Sequence, residues 1–159
     1  MMDSNNTIES FVKIQGDVKI GKRTVIRSFS ILCKGVKIGS DCVIGPFVLI
    51  QPRVVIGDRC KIHSHSFICE GVTIGNEVFI AHGVMFTNEK YPKAVRDIPW
   101  ELMEHTVVED GAVVGSGAVI LPGVRIGKGA MVGAGAIVVD NVGDGETVVS
   151  PKAKRINTD

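Results

Sequence analysis

The chain has 159 residues, enough for one domain, and its 45% hydrophobic and 22% charged residues exclude a disordered polymer. A formal net charge of +1 gives no footing for nucleic-acid or membrane-surface binding, and no apolar run approaches the roughly 18 residues needed to span a bilayer. Glycine is abundant at 19 residues and aromatics are scarce at 5%, as expected of a core built from thin, regular layers.

The N-terminal MMDSNNTIES is polar and has no hydrophobic signal core, so a cytoplasmic protein is expected. From Ile14 a large apolar residue recurs every six positions (Ile20, Ile26, Leu32, Ile38 and onward to Ile80 and Phe86), and the period resumes from Val108 to Val138. Neither helix nor hairpin spacing produces this. The fourth residue after each aliphatic is small or β-branched, as in Thr24, Cys42, Val48, Cys60, Ala118 and Ala136. Positions i+4 and i+6 therefore point inward, i+5 points outward, and i+1 to i+3 form a turn. Ile-Gly recurs at 20, 38, 56 and 74, so three such units close a triangular coil of 18 residues. Cys42 and Cys60 fall on the small inward position and read as filler. The four cysteines form no CxxC pair, which weakens zinc and redox readings.

Coils are expected over 14–91 and 108–143, with an inserted loop at 92–107 and a C-terminal tail at 144–159, all in a single domain. The outward residues Ile31, Leu49, Phe67, Met85, Val119 and Ile137 form one apolar face, and Val25, Val43, Phe79, Val113 and Met131 dominate a second. Two apolar faces meeting at one edge need cover, and a closed cyclic homotrimer supplies it.

These hexads resemble the left-handed β-helix acyltransferases over about residues 14–142. The left hand comes from that resemblance, since general crossover rules favour the right. The resemblance implies trimers with active sites between subunits and an acyl donor carried on coenzyme A or acyl carrier protein. More narrowly, Ile80-Ala81-His82-Gly83-Val84-Met85-Phe86-Thr87-Asn88-Glu89-Lys90-Tyr91-Pro92-Lys93-Ala94 resembles the N-acetyltransferases of nucleotide-linked deoxyamino sugars, whose pattern is close to GHGV-x-F-x-ND-x-YPRA. Ala81, Glu89 and Lys93 depart from it. In that group the residue matching Asn88 lies near the sugar amine.

The catalytic candidates are Asn88, Glu70 one coil earlier, and His82. Glu89, Tyr91, His65 and Trp100 are candidates for substrate binding. His63 is a weaker candidate, and His105 has no assigned role. The loop after Asn88 carries the only Tyr and the only Trp, and loops of this length are often functional. Gly115, Ser116, Ala134 and Gly135 form small turns that a pantetheine arm can approach closely, while Lys152, Lys154 and Arg155 are candidates for coenzyme A phosphates. The tail, Ser150-Pro151-Lys152-Ala153-Lys154-Arg155-Ile156, resembles the family's G-x-PAK-x-I ending. A zinc site of the carbonic-anhydrase kind needs an H-x4-H pair, but the partner position from His82 is Thr87, so no metal is expected.

The expected function is acetyl-CoA-dependent N-acetylation of a dTDP- or UDP-linked deoxyamino sugar, with no nucleic-acid or membrane partner. The alternatives are O-acetylation of a small sugar or alcohol, and a non-catalytic β-helix scaffold subunit.

Overall fold

The computed structural model describes residues 5–95 and 99–155, and within them the chain winds as a parallel β-helix of two-residue strands, three to a coil. Three parallel sheets form the walls of a prism. The first has eight strands, from Thr7–Ile8 to Thr147–Val148. The second has seven, from Lys13–Ile14 to Ile137–Val138, and the third has six, from Lys19–Ile20 to Arg125–Ile126. Strands pair one coil apart, as in Lys19↔Lys37 and Lys61↔Val43. Thr73 pairs across the inserted loop with Val107, and Met131 pairs with Thr147 in a last coil two residues short. Coiling thus starts before residue 14 and runs past 143. The one helix among the described residues is a 3₁₀ turn, Trp100–Leu102, and none is long and apolar enough to cross a membrane.

The core follows from the hexad. Ile26, Leu32, Ile44, Ile50, Ile62, Ile68 and Phe86 are sealed from solvent, and the small inward residues Val36, Val48, Val54, Ala112 and Ala118 fill the space between them. Some inward positions are polar, and each has partners. Thr24 Oγ1 donates to the Gly39 carbonyl (2.9 Å) and accepts from the Cys42 amide (3.1 Å). Ser30 Oγ does the same with the Gly45 carbonyl (2.7 Å) and the Val48 amide (3.2 Å). Cys42 and Cys60 repeat the device with sulfur, donating to the Gly57 and Gly75 carbonyls at 3.1 and 3.0 Å. They are filler that also closes hydrogen bonds. The Cys42 hydrogen bond and burial push the Cys60 thiol up, and burial pushes Cys69 up to about 12.

Most turns share one conformation. The residue before the small inward position is left-handed at Arg23 (φ 56°), Phe47 (57°), His65 (62°), Gly83 (66°) and Gly117 (68°) alike. Side chains cost energy there and glycine does not. In the edge between the third and first sheets, Asp58 Oδ1 accepts the Ser40 amide (2.7 Å), and Asn76 and Asp110 repeat the contact one coil on. A Cβ at Gly39 would lie 2.4 Å from Asp58 Oδ1, which is why glycine opens these turns.

Candidate active site

The edge between the first and second sheets carries His65, His82, Gly115, Ser116, Ala134 and Gly135. Its successive turns are Gly45-Pro46-Phe47, His63-Ser64-His65, Ala81-His82-Gly83, Gly115-Ser116-Gly117 and Gly133-Ala134-Gly135. The exposed His82 has its Nδ1 fixed by Ser64 Oγ at 2.9 Å, and its carbonyl accepts the Gly117 amide at 2.9 Å. His63 packs against it with ring centroids 4.6 Å apart, and against Phe79 at 4.8 Å. His63 Nε2 is sealed and has no hydrogen-bond partner. Burial, followed by the nearby His82 and Lys61, holds the His63 pKa below the ordinary imidazole value, so this ring stays neutral beside His82. His65 stacks on Phe47 (5.1 Å).

The glycine-rich turns lie on the same edge, on the C-terminal side of His82. Nothing lies within 4 Å of a Cβ built at Gly83 or Gly117, so the surface there is open. The Gly115 amide is spent on the Val132 carbonyl and the Gly117 amide on His82, which leaves the Ser116 amide outside the ladder. Ala134 and Gly135 are exposed, and Ser150 Oγ ties the chain to the Ala134 carbonyl at 3.2 Å. Lys152, Lys154 and Arg155 lie exposed beyond it. A cavity of about 510 Å³, lined in part by Ile137, Val142, Val148 and Pro151, opens at this C-terminal end.

The remaining candidates sit on the edge between the second and third sheets. The loop leaves that edge at Thr87, whose Oγ1 donates to the Ile120 carbonyl (3.0 Å). It returns at Thr106, whose Oγ1 donates to the Leu121 carbonyl (3.3 Å) and accepts the Gly123 amide (3.1 Å). Asn88 and Glu89 are half-buried at the start of the loop, and Tyr91 projects with 77% of its surface exposed. Glu70 forms an ion pair with Arg53. Arg53 Cζ also lies 4.1 Å over the Trp100 ring, and His105 packs on that ring at 4.5 Å. A Cβ at Gly71 would come within 2.5 Å of the indole, so Trp100 lies directly on that turn. Trp100 therefore anchors the returning loop on its own coil rather than standing free as a substrate-binding side chain. The clamp of Arg53, Gly71 and His105 was not foreseen. Its signal was Arg53 itself, an arginine at a left-handed turn position that glycine holds at Gly35, Gly71 and Gly123 on the same edge.

Within this chain the structure brings together His82, His65 and the glycine-rich turns, and separately Glu70, Trp100 and the loop start at Asn88. The two groups occupy opposite edges of the second sheet.

The family model for the bacterial transferase hexapeptide (six repeats) matches residues 35–70, 53–88 and 105–140, and that for the hexapeptide repeat of succinyl-transferase matches 17–45. No curated protein matches the chain. Among solved structures, the chain is similar in fold to a point mutant of AntD, an N-acyltransferase from Bacillus cereus, in complex with dTDP and coenzyme A (TM-score 0.69, 20% identity, 87% of this chain and 82% of that one). Another AntD mutant, in complex with dTDP-4-amino-4,6-dideoxyglucose and coenzyme A, matches at a TM-score of 0.53 and 20% identity, over 96% of this chain and 80% of that one. A UDP-N-acetylglucosamine acyltransferase matches at a TM-score of 0.68 and 20% identity, over 91% of this chain but only 55% of its own length. The six-repeat model spans more than half of the sequence, so the chain belongs to the bacterial transferase hexapeptide family and is an acyltransferase by that membership.

Proposed function

We propose that the chain is an acetyl-CoA-dependent N-acetyltransferase that acts, as a cytoplasmic homotrimer, on the amino group of a dTDP- or UDP-linked deoxyamino sugar. The observation that carries acyl transfer is the Gly115-Ser116-Gly117 turn, open at Gly117 and adjoining His82. The thioester lies along that turn, and the Ser116 amide donates to the carbonyl oxygen as it becomes an oxyanion. The amine nitrogen attacks the thioester carbon, a C–N bond forms, and the C–S bond breaks. The amine loses one proton and the departing thiolate gains one. Asn88, and Glu70 or Glu89, come from the loop edge of a neighbouring subunit to hold the amine. Tyr91 covers the sugar, while Lys152, Lys154 and Arg155 meet coenzyme A phosphates. The amine acceptor is supported by the Asn88-containing stretch 80–94, and a fold shared with AntD fits it.

A second reading, O-acetylation of a small sugar or alcohol, is favoured by the histidine pair itself. A hydroxyl needs a general base, and a braced His82 beside a neutral His63 is suited to be one. Acetyl-CoA turnover with amino-sugar nucleotides and with alcohols separates the readings. On N-transfer, Asn88→Ala lowers turnover on the order of 10–100-fold with coenzyme A binding kept, and His82→Ala leaves substantial activity. On O-transfer, amines are not substrates and His82→Ala costs about 10²–10⁴-fold.

A further inference from the structure

Arg53, on the loop edge, has two flanks of different character. Toward the later coils it is engaged by the Glu70 carboxylate and by the Trp100 ring seated on Gly71. Toward the earlier coils it is open. A Cβ built at Gly35, one coil before it on the same edge, would meet only the Arg53 amide, at 3.9 Å. The Arg53 side chain keeps 51% of its surface exposed and forms no further ion pair among the described residues. Lys34, beside Gly35, is exposed as well, and neither it nor Asp17 one coil further back forms an ion pair among the described residues. Arg53 also holds a left-handed backbone (φ 61°) where this edge has glycine at Gly35, Gly71 and Gly123. A side chain there costs energy that glycine avoids, and an outlier of that kind is a pointer to function.

We infer that Arg53 and Lys34 bind the diphosphate of a nucleotide-linked acceptor over Gly35. A guanidinium presents its N–H donors in a planar fork that matches phosphate oxygens, and a lysine adds a second, mobile point charge. The Trp100 ring fixes the guanidinium plane, so little freedom is lost on binding. Glycine at position 35 lets the ligand come close to the backbone. The spacing suits the rest of such a ligand. Glu70 lies one coil beyond Arg53 and Asn88 two, roughly 10 Å along the prism at the spacing of adjacent strands, a gap that a sugar ring and its anomeric phosphate span. The acceptor thus lies with its amine at Asn88 and its diphosphate toward the N-terminal coils, while the acyl donor runs from Gly115 the other way. The inference rests on the proposed nucleotide-linked acceptor, and the diphosphate is common to its dTDP and UDP forms. The phosphates of coenzyme A share this chemistry and are the other source.

Trp100 is the only tryptophan of the chain, so its fluorescence reports this cluster alone. Wild type, Arg53→Gly, Arg53→Lys and Lys34→Ala are titrated with dTDP, UDP and coenzyme A at low and high salt, followed by that fluorescence and by calorimetry, and a thermal melt verifies folding. Arg53→Gly installs the residue this left-handed position favours, and Lys34 takes no part in the loop anchor. Both nucleoside diphosphates should shift the Trp100 emission of wild type. Arg53→Gly should weaken them about tenfold or more at low salt and flatten their salt dependence. Arg53→Lys should recover part of that affinity, Lys34→Ala should weaken them to a smaller degree, and coenzyme A should bind all four proteins alike. An arginine that only anchors the loop gives losses in Arg53→Gly that ignore salt and leaves Lys34→Ala as wild type, and this result overturns the inference. So does a folded Arg53→Gly that binds dTDP and UDP as wild type does, or a loss confined to coenzyme A. In each of these cases a wild type that acetylates amino-sugar nucleotides leaves the proposed function standing. A wild type that neither binds the diphosphates nor acetylates such nucleotides overturns both.

Discussion

Thr24, Cys42 and Cys60 occupy one inward column in consecutive coils, and each spans the gap between neighbouring turns. Thr24 Oγ1 accepts from the Cys42 amide, and Cys42 Sγ accepts from the Cys60 amide (3.4 Å) while donating to the Gly57 carbonyl. Size alone does not explain such a residue, because a buried amide or carbonyl left without a partner costs about 1–3 kcal/mol. Cys42→Ser should therefore unfold in urea close to wild type, since a hydroxyl serves both contacts as Thr24 does. Cys42→Val, of similar volume, should lose about 1–3 kcal/mol, and both variants should keep acetyl-CoA turnover because the column is sealed from the edges. Equal stabilities for the serine and valine variants would show that the sulfur contacts contribute nothing.

At the scale of the turn, glycine has two separate causes, and they predict different sensitivities. At Gly39 a Cβ would collide with Asp58 Oδ1 and with the Gly57 backbone at 2.6 Å, so two coils must part. At Gly117 there is open space and only the positive φ opposes a side chain. Gly39→Ala should lower the unfolding free energy by about 1–3 kcal/mol, as overpacking does, whereas Gly117→Ala should cost about 1 kcal/mol. A larger loss in urea melts for Gly117→Ala would reverse this account. The period-six apolar series makes the coil, its three faces and the loop's place legible in the sequence, because each inward column repeats one chemical demand. The same regularity places His82 on the glycine-rich edge and Asn88 on another. Partnerships that cross the period are not legible. Trp100 returns from a loop with no repeat to set its register, so its seat on Gly71 does not follow from the period, and Arg53 at a position glycine otherwise holds on that edge is its one mark. The pairing of Glu70 with Arg53 also escapes notice, although both occupy one edge in adjacent coils. The aliphatic column hides the aromatic one, since Phe11, Phe29, Phe47 and His65 recur every 18 residues at a turn position that the hexad leaves free.

Over the whole prism, the arrangement of apolar surface sets what the molecule must do next. Phe79 and Met131 on the first sheet are 37% and 48% exposed, and Met85 and Ile137 on the second are 41% and 68% exposed. These sheets meet at the His82 edge, so one wedge of the surface is mostly apolar, interrupted by Lys13 and Lys61, while the third sheet presents Lys19, Lys37 and Arg125 beside Val55. Contiguous apolar area of this kind marks an interface. The proposed site needs one as well, because His82 and Asn88 lie on opposite edges of the second sheet and a neighbouring copy must bring a loop edge to a histidine edge. In the proposed homotrimer every copy offers the same histidine edge and the same loop edge. Phe67 and Met85 pair in the middle of the second sheet with their side chains outward. Introducing Phe67→Asp and Met85→Asp together should yield a folded monomer by light scattering, because the inward Ile68 and Phe86 are untouched. If activity requires the shared site, that monomer should bind coenzyme A weakly and turn over no acceptor. A wild type that runs as a monomer would remove the trimer, and a double variant that is monomeric yet fully active would show that one subunit carries the whole site.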